Sequence, residues 1–110
     1  MEKQKEKELD EIVSVIKKIR PTKIYLFGSY ANSTFDSQSD IDLIVVAHSN
    51  DRPSERRMKL RRMLREYDRR IGLDLLVYTP AEFDMLEKEP SSFISSAIEK
   101  GTIIYDSETS

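Results

Sequence analysis

The chain has 110 residues, a formal net charge of −2, 38% apolar residues and 35% charged ones, which is the size and composition of one small domain. It has no cysteine, so disulfide scaffolds, thiolate metal sites and cysteine nucleophiles are excluded. The near-zero charge gives no electrostatic argument for a nucleic-acid partner, which stays open but is not indicated. No apolar run reaches membrane-spanning length, and "MEKQKEKELDEIV" has no apolar stretch behind a basic start. A cytoplasmic single domain over 1–110 is expected, with an N-terminal helix over 1–20 and a frayed tail over 107–110.

In chain order, Leu9, Ile12, Ile16 and Ile19 recur at helical spacing and predict a helix from Glu2 to Arg20, stopped by Pro21. "KIYLF", Lys23 to Phe27, reads as a short strand. A polar loop over 28–39 follows, then "DIDLIVV", Asp40 to Val46, a strand apolar enough to be covered on both faces. Pro53 can open a helix with Asp51 as candidate cap, and Leu60, Leu64, Tyr67 and Ile71 carry that helix from Ser54 to Ile71. Gly72 ends it, and "LDLLVY", Leu73 to Tyr78, is a third strand.

Thr79, Pro80 and Glu82 form a capping-box pattern for a short helix ending near Lys88. A further helix after Pro90 is closed by Gly101 at C′, and "TIIYD" is a last strand. The first two strands are joined too briefly for a crossover and should be antiparallel. The second and third are joined by a long helix and should be parallel. The expected fold class is α+β: a small mixed β-sheet of about four strands with helices packed on it.

The candidate site sits at two strand mouths. On a strand, residues two apart share a face, so Asp40 and Asp42 would project side by side. Like charges that close repel unless neutralised, and a hard divalent cation such as Mg²⁺ is the economical partner. Asp74 has matching phase in the third strand. If those strands are neighbours, three carboxylates converge, which suits a two-metal site for phosphoryl or nucleotidyl transfer. Gly28 lets a phosphate approach the backbone, and Ser29 adds a hydroxyl and an N–H. Together the features describe a site for a metal-bound nucleoside triphosphate. His48, the only histidine, has no triad partners and reads as an exposed loop residue. The aromatics Tyr25, Phe27, Tyr67, Tyr78, Phe83 and Phe93 read as core; Tyr30 can edge the pocket.

Gly28-Ser29, ten residues, Asp40-x-Asp42 and a lone acid on a later strand resemble the DNA polymerase β-like nucleotidyltransferase superfamily. By length the chain is most similar to its minimal nucleotidyltransferase (MNT) domains, and the element order matches over most of the chain. The resemblance implies that Gly28 and Ser29 hold the triphosphate and that Asp40 and Asp42 are ligands of two Mg²⁺ ions. It implies that Asp74 is the third acid, helping to hold the catalytic metal and to deprotonate the attacking hydroxyl. It implies transfer of a nucleoside monophosphate, AMP from ATP, to a hydroxyl, and a helical HEPN ribonuclease toxin as partner, adenylylated by this chain as antitoxin. Many MNT sequences have Arg-Gly where this chain has Asn32-Ser33, and Asn32 lacks the charge an arginine would offer phosphate. The alternatives are a binding module that neutralises its partner by contact and a small-molecule (antibiotic) nucleotidyltransferase.

The stretch from Arg52 to Arg70 carries nine basic residues against Glu55, Glu66 and Asp68. It reads equally as a solvated face, with Glu55–Lys59 and Glu66–Arg70 as local pairs, and as a site for an acidic partner, RNA or the outgoing phosphates.

Overall fold

The computed structural model describes residues 3–27 and 41–108. Helix α1 (Lys3–Ile16) runs into a 3-10 turn (Lys17–Ile19). Strands β1 (Lys23–Phe27) and β2 (Ile41–Val46) lead to α2 (Pro53–Met63) and α3 (Arg65–Ile71). Then come β3 (Leu73–Tyr78), α4 (Pro80–Lys88), α5 (Phe93–Lys100) and β4 (Thr102–Asp106). The four strands form one mixed sheet in the order β3-β2-β1-β4. As the connections predict, β1 and β2 are antiparallel and β2 and β3 parallel. β4 returns antiparallel on the free side of β1, with a register irregularity between Ile24 and Tyr25.

Strand alternation sorts the core into two layers. Ile24, Leu26, Ile41, Leu43, Val45, Leu73, Leu75 and Val77 face α1 and the α2–α3 side, where Leu9, Ile12, Ile16, Leu60 and Leu64 meet them. Tyr25, Ile44 and Val46 face Phe83 of α4 and Ile94 and Ala97 of α5. The rings of Tyr25 and Phe83 stack with centroids 5.3 Å apart. β2 is one of the two inner strands, and its Ile41, Leu43, Ile44 and Val45 have no exposed surface. Its continuous apolar run is the sequence mark of a strand covered on both sides.

Several local expectations are corrected. The first helix gives way to the 3-10 turn after Ile16, and Arg20 then takes a left-handed conformation (φ 55°) ahead of Pro21. The expected single helix over 54–71 is interrupted at Leu64 (φ −105°, ψ 16°), whose N–H is shared between the Leu60 and Arg61 carbonyls. The ladder resumes at once, Asp68 N–H donating to the Leu64 carbonyl, so Leu60 and Leu64 stay on one buried stripe. Asp51 does not cap α2: the N-cap is Arg52, with no side-chain cap bond. Asp51 instead accepts from Lys59 Nζ at 2.6 Å, so the ion pair of Lys59 is to Asp51 and not the expected one to Glu55.

The Thr79 capping box is complete. Thr79 Oγ1 accepts from the Glu82 N–H, and Glu82 Oε1 accepts from the Thr79 N–H. Gly101 is the C-cap of α5 with φ −93°, so left-handed freedom is not why glycine stands there. A Cβ at this position would lie 2.7 Å from the Ala97 carbonyl oxygen and 2.9 Å from that of Leu26. The residue is a close-approach glycine between α5 and β1.

Candidate active site

The parallel pairing of β2 with β3 sets Asp42 opposite Asp74 as register partners. Neighbouring strands lie roughly 4.8 Å apart, so the two residues stand side by side. Both belong to the alternation set that faces α4 and α5, in phase with Ile44 and Val46 on β2 and with Leu76 and Tyr78 on β3. Phe27, the last residue of β1, pairs with Asp42 from the other side. The row Phe27–Asp42–Asp74 thus crosses three strands at one end of the sheet. Phe27 and Ile41, which flank the segment 28–40, both sit at that end.

Gly28, Ser29, Tyr30, Asn32, Ser33 and Asp40 lie outside the described residues. Of the expected site residues, Asp42 and Asp74 are brought together. The backbone supports this end locally: Ile41 N–H donates to the Gly72 carbonyl, and Leu73 N–H donates to Asp68 Oδ1 at 2.9 Å. Gly72 turns α3 into β3 with φ 65°, which a side chain would disfavour.

Asp42 is half-buried and Asp74 is exposed. Arg57 of α2 approaches Asp74, Nη2 to Oδ1 3.5 Å, with both side chains about half exposed. At that distance and exposure the pair is a loose surface contact, easily exchanged for another cation. The two aspartates offer oxygen donors side by side at a strand mouth, the donor chemistry that Mg²⁺ or Mn²⁺ prefers. Among the described residues no group of three or more acidic or histidine ligands is assembled. His48 is exposed, as expected.

The helix α2 hides one functional-looking arginine that composition does not separate from its neighbours. Arg56 is 6% exposed. Its Nη1 and Nη2 donate to Glu82 Oε1 and Oε2 at 2.8 and 2.9 Å, Nη1 also to the Val77 carbonyl, and Nε to the Asp51 carbonyl. The guanidinium and the Thr79 backbone N–H hold the Glu82 carboxyl down at about 2, and Glu82 in turn raises Arg56 above its ordinary value. This residue is structural. Its phase with Leu60 and Leu64 (i, i+4, i+8) is the signal that marks it as inward-facing.

Comparison with known proteins places the geometry in context. The family described as "Polymerase beta, Nucleotidyltransferase" matches residues 9–110. A Methanocaldococcus jannaschii protein, named provisionally as a protein adenylyltransferase, is 31% identical over 107 residues, which is 96% of this chain and 67% of that protein. A crystal structure from Sulfolobus solfataricus, named provisionally as a nucleotidyltransferase, superposes with a TM-score of 0.63 at 22% identity, covering 93% of this chain and 80% of its own. A chain from the complex of tri-AMPylated HEPN toxin with MNT antitoxin of Shewanella oneidensis superposes with a TM-score of 0.55 at 19% identity. That match covers 91% of this chain and 71% of the other. At these identities the structural likenesses speak to the fold.

Proposed function

We propose that this chain, which belongs to the polymerase beta nucleotidyltransferase family, transfers AMP from ATP to a hydroxyl of a partner protein. The carrying observation is the register pairing of Asp42 with Asp74 at the sheet end where β1 stops and β2 begins. The M. jannaschii relative's name favours a protein as acceptor. The Shewanella complex favours a HEPN-type toxin as that protein, with this chain in the antitoxin role.

In this reading Gly28 and Ser29 hold the triphosphate, and Asp40 and Asp42 would hold the divalent cations that accompany it. Bound Mg²⁺ would neutralise phosphate charge and polarise the α-phosphoryl group. Asp74 accepts the proton of the attacking hydroxyl. That oxygen forms a bond to the α-phosphorus, the bond to the bridging oxygen breaks, and pyrophosphate leaves with the electron pair. The chain's own contribution is alignment and fixed charge, since two carboxylates held on adjacent strands need little reorganisation. Arg57 leaves Asp74 when the site is loaded, as a half-exposed 3.5 Å contact can.

The test is incubation with α-labelled ATP, Mg²⁺ and a candidate partner, a HEPN-type toxin protein from the same source. Label on that protein, lost in Asp42→Ala and Asp74→Ala variants, supports the proposal. Toxin neutralisation without label, unchanged in both variants, would instead establish an antitoxin that acts by contact alone.

A further inference from the structure

Charge on α2 and α3 is sorted by face. Arg56 is spent inward on Glu82, and Lys59 pairs with Asp51. A different stripe, at positions 54, 57, 58, 61, 62, 65 and 68, follows the i, i+3, i+4 pattern of one helix surface. It borders an open groove of about 540 Å³ whose lining includes Arg57, Met58, Arg61, Arg62 and Arg65. All five of these side chains are exposed, and Met58 keeps 53% of its surface in solvent. Arg62 Nη2 lies 3.4 Å from the Met58 sulfur, and Arg61 is 3.6 Å from Asp68 at the groove's edge. Arg57 belongs both to the groove and to the candidate site, through its contact with Asp74.

We infer that this groove docks an acidic segment of the acceptor protein and leads its hydroxyl toward Asp74, an inference that rests on the protein-nucleotidyltransferase reading. Four exposed guanidinium groups in one stripe match carboxylates, which they can bind in a bidentate fork. Methionine beside arginine is a composition that protein interfaces favour, and the flexible thioether adapts to a partner's side chains. The remainder of the chain is net acidic, since the total is −2 despite the basic stretch. A long polyanion such as RNA would meet that repulsion, whereas a short acidic segment meets only the groove. Continuity with Asp74 supplies direction: a segment lying along the stripe ends beside the candidate base.

The experiment uses a fluorescein-labelled random Glu/Tyr copolymer as acidic, hydroxyl-bearing probe, with single-stranded RNA and a Lys/Tyr copolymer as comparisons. Anisotropy is read with the full chain and with two double variants, Arg62→Glu/Arg65→Glu and Arg62→Lys/Arg65→Lys. The wild type should bind the acidic copolymer with affinity that falls as salt rises. The Glu variant should bind about tenfold or more weakly, the scale of two reversed surface charges, and the Lys variant should bind nearly as wild type. Circular dichroism confirms that each variant is folded; both sites are exposed. Equal binding by wild type and Glu variant, no binding by the wild type, or tighter binding of RNA would each overturn the inference. An Asp42→Ala variant separates the two readings. If it loses nucleotidyl transfer yet holds the copolymer, docking is independent of the chemistry; if the wild type fails to bind the copolymer while it still labels the partner and Asp42→Ala does not, docking fails and the enzymatic reading survives.

Discussion

Arg56 and Glu82, 26 positions apart, meet in a two-pronged ion pair that joins α2 to α4, with N···O distances of 2.8 and 2.9 Å. The arginine side chain is 4% exposed and the glutamate 41%. Breaking the pair from the two ends should therefore have unequal effects. Glu82→Gln leaves a buried cation half partnered and should cost about 1–3 kcal/mol, although Gln can still complete the capping box. Arg56→Met keeps most of the apolar stem and frees Glu82 to water, so it should cost less, about 1–2 kcal/mol. Urea unfolding of the two variants measures both; a larger loss for Arg56→Met would show that the contacts to the Val77 and Asp51 carbonyls outweigh the ion pair.

The same pair makes stability depend on acid. The Glu82 carboxyl titrates at about 2 in the fold, against an ordinary 4.5. A depressed folded value means that the stabilisation is complete above the unfolded value and fades as pH falls through the window from 4.5 to about 2. The stability gap between wild type and Glu82→Gln should be constant from neutrality to about pH 5 and shrink below it. Because Glu82 is substantially solvated, the titrating part should amount to about 1 kcal/mol. A gap that stays flat down to pH 2.5 would show that the carboxylate charge contributes nothing.

Gly101→Ala should destabilise the fold for a steric reason alone. The backbone angle is one any residue adopts, but the added methyl would press on two backbone carbonyls, those of Ala97 and Leu26. Neither can rotate aside, so α5 must lift from β1. A loss of about 2 kcal/mol is expected, lowering Tm by roughly 10 °C for a domain of this size. An unchanged Tm would mean that α5 has slack against the sheet.

Asp74→Asn distinguishes chemistry from architecture. Its ion pair with Arg57 is long and half exposed, worth under about 0.5 kcal/mol, and the substitution relieves repulsion with Asp42. Thermal stability should hold or rise slightly, while nucleotidyl transfer falls by about a hundredfold or more, as for loss of a general base. Chelation with EDTA should abolish transfer in the wild type. A folded variant that retains transfer removes Asp74 from the proposed mechanism.

Much of the scaffold is legible before folding because it follows from two periodicities. The β-branched and aromatic residues of Lys23–Phe27, the apolar run of Leu73–Tyr78 broken only by Asp74, and the unbroken apolar run of β2 locate three strands. Connection lengths settle their directions, and equal phase puts Asp74 opposite Asp42. Thr79-Pro80-x-Glu82 is readable because capping is local chemistry. What escapes is non-local. Lys59 chooses Asp51 over the neighbour one turn away because the loop before α2 brings Asp51 within 2.6 Å. The phase of Arg56 with Leu60 and Leu64 marks it as inward-facing, but its partner Glu82, on another helix, cannot be read from the run of arginines. Gly101 looks like a helix terminator, and only the approach of β1 explains it. Within the site, Asp42 and Asp74 were legible together, while Gly28, Ser29 and Asp40 fall outside the described residues.

The contact between Arg56 and the Val77 carbonyl has a consequence for how the sheet ends. β3 is an outer strand, and the Tyr78 carbonyl turns inward to the Ala47 N–H, so the carbonyl of Val77 turns outward. An open strand border of that kind invites another chain to add itself, the route to edge-on aggregation. Here the outward carbonyl is already occupied by a guanidinium that α2 and Glu82 hold in place. A cationic side chain folded over the rim makes this flank a poor template for a stranger's strand, and it does so with a residue whose neighbours along the helix face the solvent.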